Sequence, residues 1–528
     1  MPSLLAAERS LADVFQPGQV VCQSHPDHLA SIARLFSVET VAVDRCRVLE
    51  VGCGAGLNLL PMAERHPDST FVGLDRSPAA VTTARQLAAS VELHNIAFHE
   101  LLLESADDRQ GTFDYIICHD VYPRLPLALQ DQLMAFCRAH LNPRGLLYLS
   151  CRALPGWIVP SVAGDLARSA VSEQDTLPQR VARARQALRF FTESIPSDGK
   201  GWARLLRGEA SLALGLSDAA LAHEHLVAES HPVLLHELAG QAAAHGLQYL
   251  GDADIHTMFA ASLGPAAEHN LAQMARDSVS LEQYMDLLCN RSLHRSLFCH
   301  RDVHRTYQWT PDRLRGLFLA GNLQAADPPV DLLAAEPARF AAADGRVFGA
   351  ALPAAKAALE LLASLWPRAI SCEALLAAVE DRLHRAGPAA PPFDEAQRDE
   401  MARNLIECMV NGLIEVHSDA DRFTADVSQR PHASRWARVE AESRNQVTNL
   451  RHEPVVLDEM SHNLLRFLDG QRNRSDLLTL LVEATERGQL SILRSDLPAG
   501  SGAAAAEILE QVLDQALAKL AGHSLLIA

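Results

Sequence analysis

The sequence predicts an α/β protein: a Rossmann-like, doubly wound parallel sheet with helical insertions, followed by C-terminal winged-helix-like α+β domains. Three observations carry this. Short apolar runs alternate with amphipathic helical stretches through residues 43–155, the pattern of a parallel sheet buried on both faces. The first run, Arg47–Val51, leads straight into three alternate glycines, Gly52, Gly54 and Gly56. The last third of the chain twice repeats an order of helices closed by a short apolar strand.

Residues 1–42 read as an arm and one helix, started by Ser24-His25-Pro26-Asp27 and running from His28 to Phe36. The core, 43–155, takes strands at Arg47–Val51, Thr70–Leu74, Ile96–His99, Phe113–Cys118 and Gly145–Cys151. Ser77-Pro78 starts the helix after the second strand, with Ser77 as N-cap and Pro78 at the first helical position. A helix over Ala128–His140 precedes the fifth strand, and Asn142-Pro143-Arg144-Gly145 makes the turn between them. Region 156–305 is helical at 156–230 and 255–293. Its strands, Gly246–Leu250 and Arg295–His300, complete the core sheet. Residues 306–350, rich in Pro, Ala and Asp, read as a linker. Two winged-helix-like domains follow, 351–430 and 431–528, and neither candidate recognition helix is basic.

Bulk chemistry excludes several function classes. A net charge of −18 argues against a nucleic-acid binder and favours encounter with cationic partners. The ten cysteines are scattered, which gives neither a disulfide framework nor a zinc site. The start of the chain lacks the basic and apolar regions of a signal peptide, and no stretch has the ~18–20 apolar residues of a membrane span. The expectation is a cytoplasmic protein without membrane insertion.

The glycine loop decides the cofactor. A dinucleotide site spaces its glycines as Gly-x-Gly-x-x-Gly, whereas here the third glycine, Gly56, comes one residue early. A Glu-x-Gly-x-Gly-x-Gly loop (Glu50, Gly52, Cys53, Gly54, Gly56) suits the methionine part of S-adenosylmethionine, with Glu50 ordering the loop or meeting the ammonium. Asp75 ends the second strand, where a carboxylate accepts both ribose hydroxyls; Arg76 follows it at the same site. In open α/β sheets ligands lie beyond the carboxyl ends of the strands. Cys118-His119-Asp120-Val121-Tyr122 therefore faces the transferred methyl. His119 and Asp120 are candidates for the cofactor's amino group, Tyr122 for the substrate channel and Trp157 for stacking on substrate. Capping and packing roles compete for Asp75, His119 and Tyr122. His223-Glu224-His225 lacks the i, i+4 spacing of a helical zinc motif, so no metal is assigned.

Several motifs together resemble the class I methyltransferases that carry a methyltransferase regulatory domain, a family whose described members include rickettsial protein-lysine methyltransferases. The motifs are Gln23–Ala30, Cys46–Gly54, Asn58–Ala63, Phe71–Asp75, Phe113–His119 with Val121-Tyr122, and Leu154-Pro155-Gly156-Trp157. His223–Leu226, Gly246–Gly251, Glu282–Asp286, Asn290-Arg291 and His300 continue the likeness. It implies S-adenosylmethionine as cofactor and a lysine-bearing protein substrate, including surface or membrane proteins, and it is compatible with a homodimer. Departures fall on the substrate side. The tyrosine-rich arm is missing, Asp120 stands where the family has glycine, and Cys151-Arg152-Ala153 replaces a polar run. Leu234-Leu235 replaces Tyr-Phe, and Leu101-Leu102-Leu103 leaves Glu104 or backbone groups to meet the adenine amine.

The resemblance implies in-line attack of a lysine amine on the sulfonium methyl. At pH 7 the amine, with a pKa near 10.4, costs roughly 4.6 kcal/mol to deprotonate. Asp120 would hold the incoming ammonium. The competing expectations are a small-molecule methyltransferase, separable by acceptor profiling, and a non-catalytic cofactor-binding scaffold, which would bind cofactor without turnover.

Overall fold

The computed structural model describes residues 20–101, 111–172, 174–226, 230–486 and 502–527. Helix α1 (Pro26–Leu35) precedes strand β1 (Arg47–Val51), α2 (Leu59–Arg65), β2 (Thr70–Asp75), α3 (Pro78–Ser90), β3 (Ile96–Glu100) and β4 (Phe113–Cys118). Then come α4 (Leu127–His140) and β5 (Leu141–Arg152), helices α5 (Ile158–Ser169), α6 (Leu177–Ser194) and α7 (Trp202–Gly215), and the short α8 (Asp218–Leu221). After α9 (Leu235–Ala244) the sheet closes with β6 (Leu247–Asp252) and β7 (Leu293–His300). The spatial order is β3-β2-β1-β4-β5-β7-β6, with β1 to β5 parallel and β7 antiparallel to both neighbours. Every residue of β4 is buried, as a central parallel strand requires. No helix among the described residues is long and apolar enough to cross a membrane.

Ser77 caps α3 through Ala80 N at 3.3 Å, with Pro78 at the first turn, as the sequence indicates. Two expectations fail. The turn at Asn142–Gly145 lies inside β5: pairing with β4 jumps from Phe113–Leu141 to Tyr115–Leu146, so the extra residues form a bulge. Residues 306–350 are no linker. They hold β8 (Phe318–Ala320), β9 (Leu323–Ala325), β10 (Ala338–Ala342) and β11 (Val347–Ala350). These strands are three to five residues long and alanine-rich, too short to show an alternating pattern.

The first C-terminal unit packs helices Pro353–Leu365, Cys372–Arg385 and Glu395–Val410 beside the sheet β12-β8-β13, where β12 is Ile370–Ser371 and β13 is Glu415–His417. The second has helices Arg435–Glu440, Glu459–Leu465, Arg474–Glu486 and Gly502–Gly522 around its own core of Leu464, Leu465, Leu513 and Leu517. Both units clasp the methyltransferase-like core. Buried Asp27 at the start of α1 accepts hydrogen bonds from Ser418 N (2.7 Å), Asp419 N (2.8 Å) and His417 Nδ1 (3.0 Å). Glu64 of α2 accepts from Ser434 Oγ (2.7 Å) and Arg435 N (2.6 Å).

Candidate active site

The glycine loop crosses the carboxyl ends of β1 and β2. Gly52, Gly54 and Gly56 have φ of +74°, +54° and +75°, the left-handed region that favours glycine. Gly52 N and Cys53 N donate to Leu74 O at 2.7 and 3.1 Å. A Cβ on Gly52 would collide with Val121, so the loop lies against the end of β4. At Gly56 the reason is internal: a Cβ there would strike the Phe98 ring of β3.

Glu50 is buried. Its Oε1 accepts from Asn58 Nδ2 at 2.9 Å, and its Oε2 has no partner. Burial, reinforced by nearby Asp75, pushes the Glu50 carboxyl up to about 8 against the opposing Asn58 hydrogen bond. A buried, unpartnered carboxylate oxygen beside a bare glycine loop fits the ammonium of S-adenosylmethionine. Asp75 accepts from Gly54 N (2.8 Å) and Ser77 N (2.9 Å), one bond per oxygen. It therefore shapes the turn and still has lone pairs for a ribose diol. Arg76 is exposed. Leu102, Leu103 and Glu104 lie outside the described residues.

Beyond β4, half-buried His119 bonds Tyr148 OH through Nδ1 at 3.1 Å, and burial lowers its pKa. Asp120 has φ +55°, a conformation that Asp tolerates better than most residues. The glycine of the related pattern at this position is a backbone requirement, which Asp120 meets. Its carboxylate is not free to receive an ammonium: Arg124 Nε donates to Oδ2 at 2.9 Å and Arg152 Nε lies 3.8 Å from Oδ1. Burial alone would raise this carboxyl, but His223, Arg124 and Arg152 together hold it well below the usual carboxylate range. Tyr122 is in the core, 2% exposed, with its hydroxyl on Gln241. Trp157 stacks under the Arg152 guanidinium, 4.3 Å from the ring centre.

Opposite these residues, Ala222–Leu226 makes one turn of π-helix, a form found mostly as single turns and often at functional sites. It places Glu224 on Arg152 (2.8 Å) and Arg124 (3.2 Å). Asp120, His223 and Glu224 approach one another within 4.8 Å, but these guanidiniums already neutralise the two carboxylates. Between the π-turn and α5 lies a cavity of about 190 Å³ lined by Arg152, Trp157, Pro160, Arg168, His225 and Ser230 among others. Ser230 Oγ is buried with no partner, and burial keeps His225 neutral by lowering its pKa. The Leu154–Trp157 and His223–Leu226 motifs thus meet at one cavity. Gly156 explains part of the first motif: its N–H donates to Arg291 O at 2.9 Å, and a Cβ would collide with that backbone.

Sequence reasoning missed Asn58 as a site residue. Asparagine at a helix start normally caps it, yet Asn58 makes no cap bond to α2. Its amide instead joins Glu50, Ser24, Val21 N and His452. Arg124 and Arg152 were missed too, because Glu224, which joins the two, comes from a distant segment.

Similarity to known proteins agrees with this geometry. Family profiles match residues 49–147 (methyltransferase domain), 217–300 (predicted methyltransferase regulatory domain) and 429–525 (PKMT, C-terminal winged helix domain). An uncharacterized protein of Rickettsia prowazekii is 28% identical over 511 residues, 96% of this chain and 91% of the relative. The solved structure of PKMT2 from Rickettsia typhi superposes with a TM-score of 0.84 at 24% identity, covering 97% of this chain and 100% of that one. PKMT2 was also solved in complex with AdoHcy. The ubiquinone biosynthesis O-methyltransferase of Acinetobacter baylyi is 28% identical over 105 residues, 20% of this chain and 42% of that enzyme. The chain is an S-adenosylmethionine-dependent methyltransferase that joins to its methyltransferase domain a methyltransferase regulatory region and a PKMT-type winged-helix domain.

Proposed function

We propose that this protein is a protein-lysine N-methyltransferase. The observation that carries the reading is the size and siting of the cavity. At about 190 Å³ it falls below the ~300–1,000 Å³ typical of whole small-molecule ligands. It suits a single side chain delivered by a larger acceptor. Arg152 in its wall lies 3.8 Å from Asp120, whose neighbour Val121 packs on Gly52 of the glycine loop. The PKMT-type winged helix at 429–525, the resemblance in fold to PKMT2 and the net charge of −18 support a cationic protein as acceptor.

When bound, S-adenosylmethionine supplies an electrophilic methyl on a sulfonium. Glu50, Asp75 and the glycine loop orient it, and His119 stands at the end of β4. The cavity aligns the nucleophile. Trp157 and Pro160 line the alkyl chain, while Ser230 Oγ and the neutral His225 ring offer acceptors to an amine. Arg152 and Arg168 are paired with Glu224 and Asp165 in the same lining. Desolvation of the amine in the cavity is therefore what offsets part of the cost of about 4.6 kcal/mol for presenting lysine uncharged at pH 7. Alignment and exclusion of water then account for most of the rate.

The test is incubation with methyl-labelled S-adenosylmethionine and lysine-rich proteins, followed by hydrolysis and chromatography. Methyl-lysine is expected. Label confined to small molecules, or cofactor binding with no turnover on any amine, would overturn the reading.

A further inference from the structure

Lysine is almost absent from this chain: of 47 basic residues only Lys200, Lys356 and Lys519 are lysines. The fold buries one of them and engages a second in a surface ion pair. Lys356 is fully buried, and its ammonium donates to the carbonyls of Ala334 (2.7 Å) and Glu336 (2.8 Å). Lys519 pairs with Asp458 Oδ2 at 2.5 Å. Lys356 must break these buried bonds to meet an electrophile, whereas Lys519 gives up only a weak surface pair. Lys200 is exposed in the loop between α6 and α7, set between Gly199 and Gly201. Gly201 has φ +56° and open space where a Cβ would stand. Two glycines leave the backbone around the lysine thin enough to enter a narrow mouth.

Charge supplies the direction. Residues 177–215 carry seven Arg and Lys against three Asp and Glu, in a chain of net charge −18. Exposed Arg189, Phe190, Trp202 and Arg204 flank the loop. This cationic tip complements the acidic remainder of another copy. The loop lies at the far end of α6 from the π-turn of its own chain. Arg185 binds Leu214 O and Asp218 just before the π-turn, and from there α6 runs nine more residues to Ser194, about 13 Å at 1.5 Å per residue. That is roughly twice the span of a lysine side chain.

Resting on the lysine reading above, we propose that Lys200 is a methylation site of this protein, modified by S-adenosylmethionine bound to a second copy. The Lys200 ammonium gives a proton to solvent, and the free Nζ attacks the methyl carbon. The N–C bond forms as the S–C bond breaks. The electron pair stays on sulfur, leaving a methylammonium and S-adenosylhomocysteine.

The test pairs two variants. Lys200→Arg keeps the active site and lacks the acceptor. Asp75→Ala keeps Lys200 and lacks the carboxylate that shapes the cofactor loop. Mixed with labelled cofactor, label should appear in the Phe190–Arg204 segment of the Asp75→Ala copy, while Lys200→Arg alone stays unlabelled. Mass spectrometry of wild-type chain taken directly from cells should show methyl groups on Lys200, independent of any assay. If a lysine-rich protein is labelled in parallel and Lys200 is not, the proposal is overturned and the lysine reading stands. If neither is labelled, both fall. Label persisting on the Lys200→Arg chain alone also overturns the proposal.

Discussion

Asn58 and His452 are 394 residues apart in sequence and joined by a 2.9 Å hydrogen bond from His452 Nε2 to Asn58 Oδ1. Asn58 uses its whole hydrogen-bonding capacity. Oδ1 also accepts from Val21 N (3.0 Å), and Nδ2 donates to Ser24 Oγ (3.0 Å) and Glu50 Oε1 (2.9 Å). One buried amide therefore ties the segment before α1, the cofactor loop and the C-terminal winged-helix domain. Burial keeps His452 neutral by pushing its pKa down to about 3, so Nε2 carries its proton as a fixed donor. The winged-helix domain is thereby linked through Asn58 to Glu50, the acid that precedes the glycine loop.

The consequence is measurable. Removing the His452 ring leaves Asn58 Oδ1 one donor short and frees the amide to rotate away from Glu50. Losing such a buried bond costs about 1–3 kcal/mol. His452→Ala should weaken AdoHcy binding about 5- to 150-fold by calorimetry, with the acceptor KM little changed. A folded His452→Ala protein with wild-type AdoHcy affinity would show that the coupling stops at Asn58.

Glu50 predicts a pH dependence. Its folded pKa, raised to about 8, lies above the unfolded value near 4.3, so the neutral acid suits the free fold. Its contribution to stability is complete below about pH 4.3 and is lost as pH rises through 8. A cationic ligand at Oε2 favours the carboxylate. Cofactor binding should therefore release a proton below pH 8 and tighten as pH climbs toward 8. Calorimetry in buffers of different ionisation enthalpy reads the proton directly, and Glu50→Gln should abolish it. An unchanged proton release in Glu50→Gln would assign the proton elsewhere.

Asp120 separates backbone from charge. Asp120→Gly loses the Arg124 ion pair but relieves φ +55°, whereas Asp120→Ala loses the pair and keeps the strain. The Ala variant should be less stable than the Gly variant by about 1–2 kcal/mol in denaturant unfolding. Equal stabilities would mean that the loop reshapes around alanine.

The sheet was legible because its signals are local. β1 and β4 are mostly apolar runs, and Ser77-Pro78 has one physical reading. Asp75 was legible as an acid ending a strand, and Glu50 as the acid before the glycines. The domain clasp was not. It rests on single polar residues such as Asp27, Glu64 and Asn58, each of which reads locally as a helix-start or surface group and leaves no periodic trace. The strands at 318–350 were hidden for a different reason: three to five residues give no period to measure. At the substrate side, Asp120 looked like a lost glycine and a free acid. Only the fold shows that its conformation is kept and that Arg124 and Arg152 occupy its charge.

The clasp should itself respond to pH. His417 faces Asp27 Oδ2 at 3.0 Å and Glu415 Oε2 at 3.5 Å. Burial would lower its pKa, but these carboxylates outweigh burial and raise it to about 9 from an ordinary value near 6.5. A raised histidine stabilises the fold fully below about pH 6.5, and the benefit is lost as pH rises through 9. The interval corresponds to a contribution on the order of a few kcal/mol, shared with its carboxylate partners. The residues around it are acidic or neutral on one side, Asp27, Glu415 and the depressed His25, while Arg65 lies beyond Asp27. Thermal unfolding should therefore move down between pH 6.5 and 9 as the first C-terminal unit loosens from α1. His417→Gln keeps a donor for Asp27 without a titratable charge. It should begin less stable at pH 6 and lose little more by pH 9. A His417→Gln profile parallel to wild type over that interval would move the alkaline transition to the other raised histidine, His294, which is held at about 9 between Asp252 and Asp286.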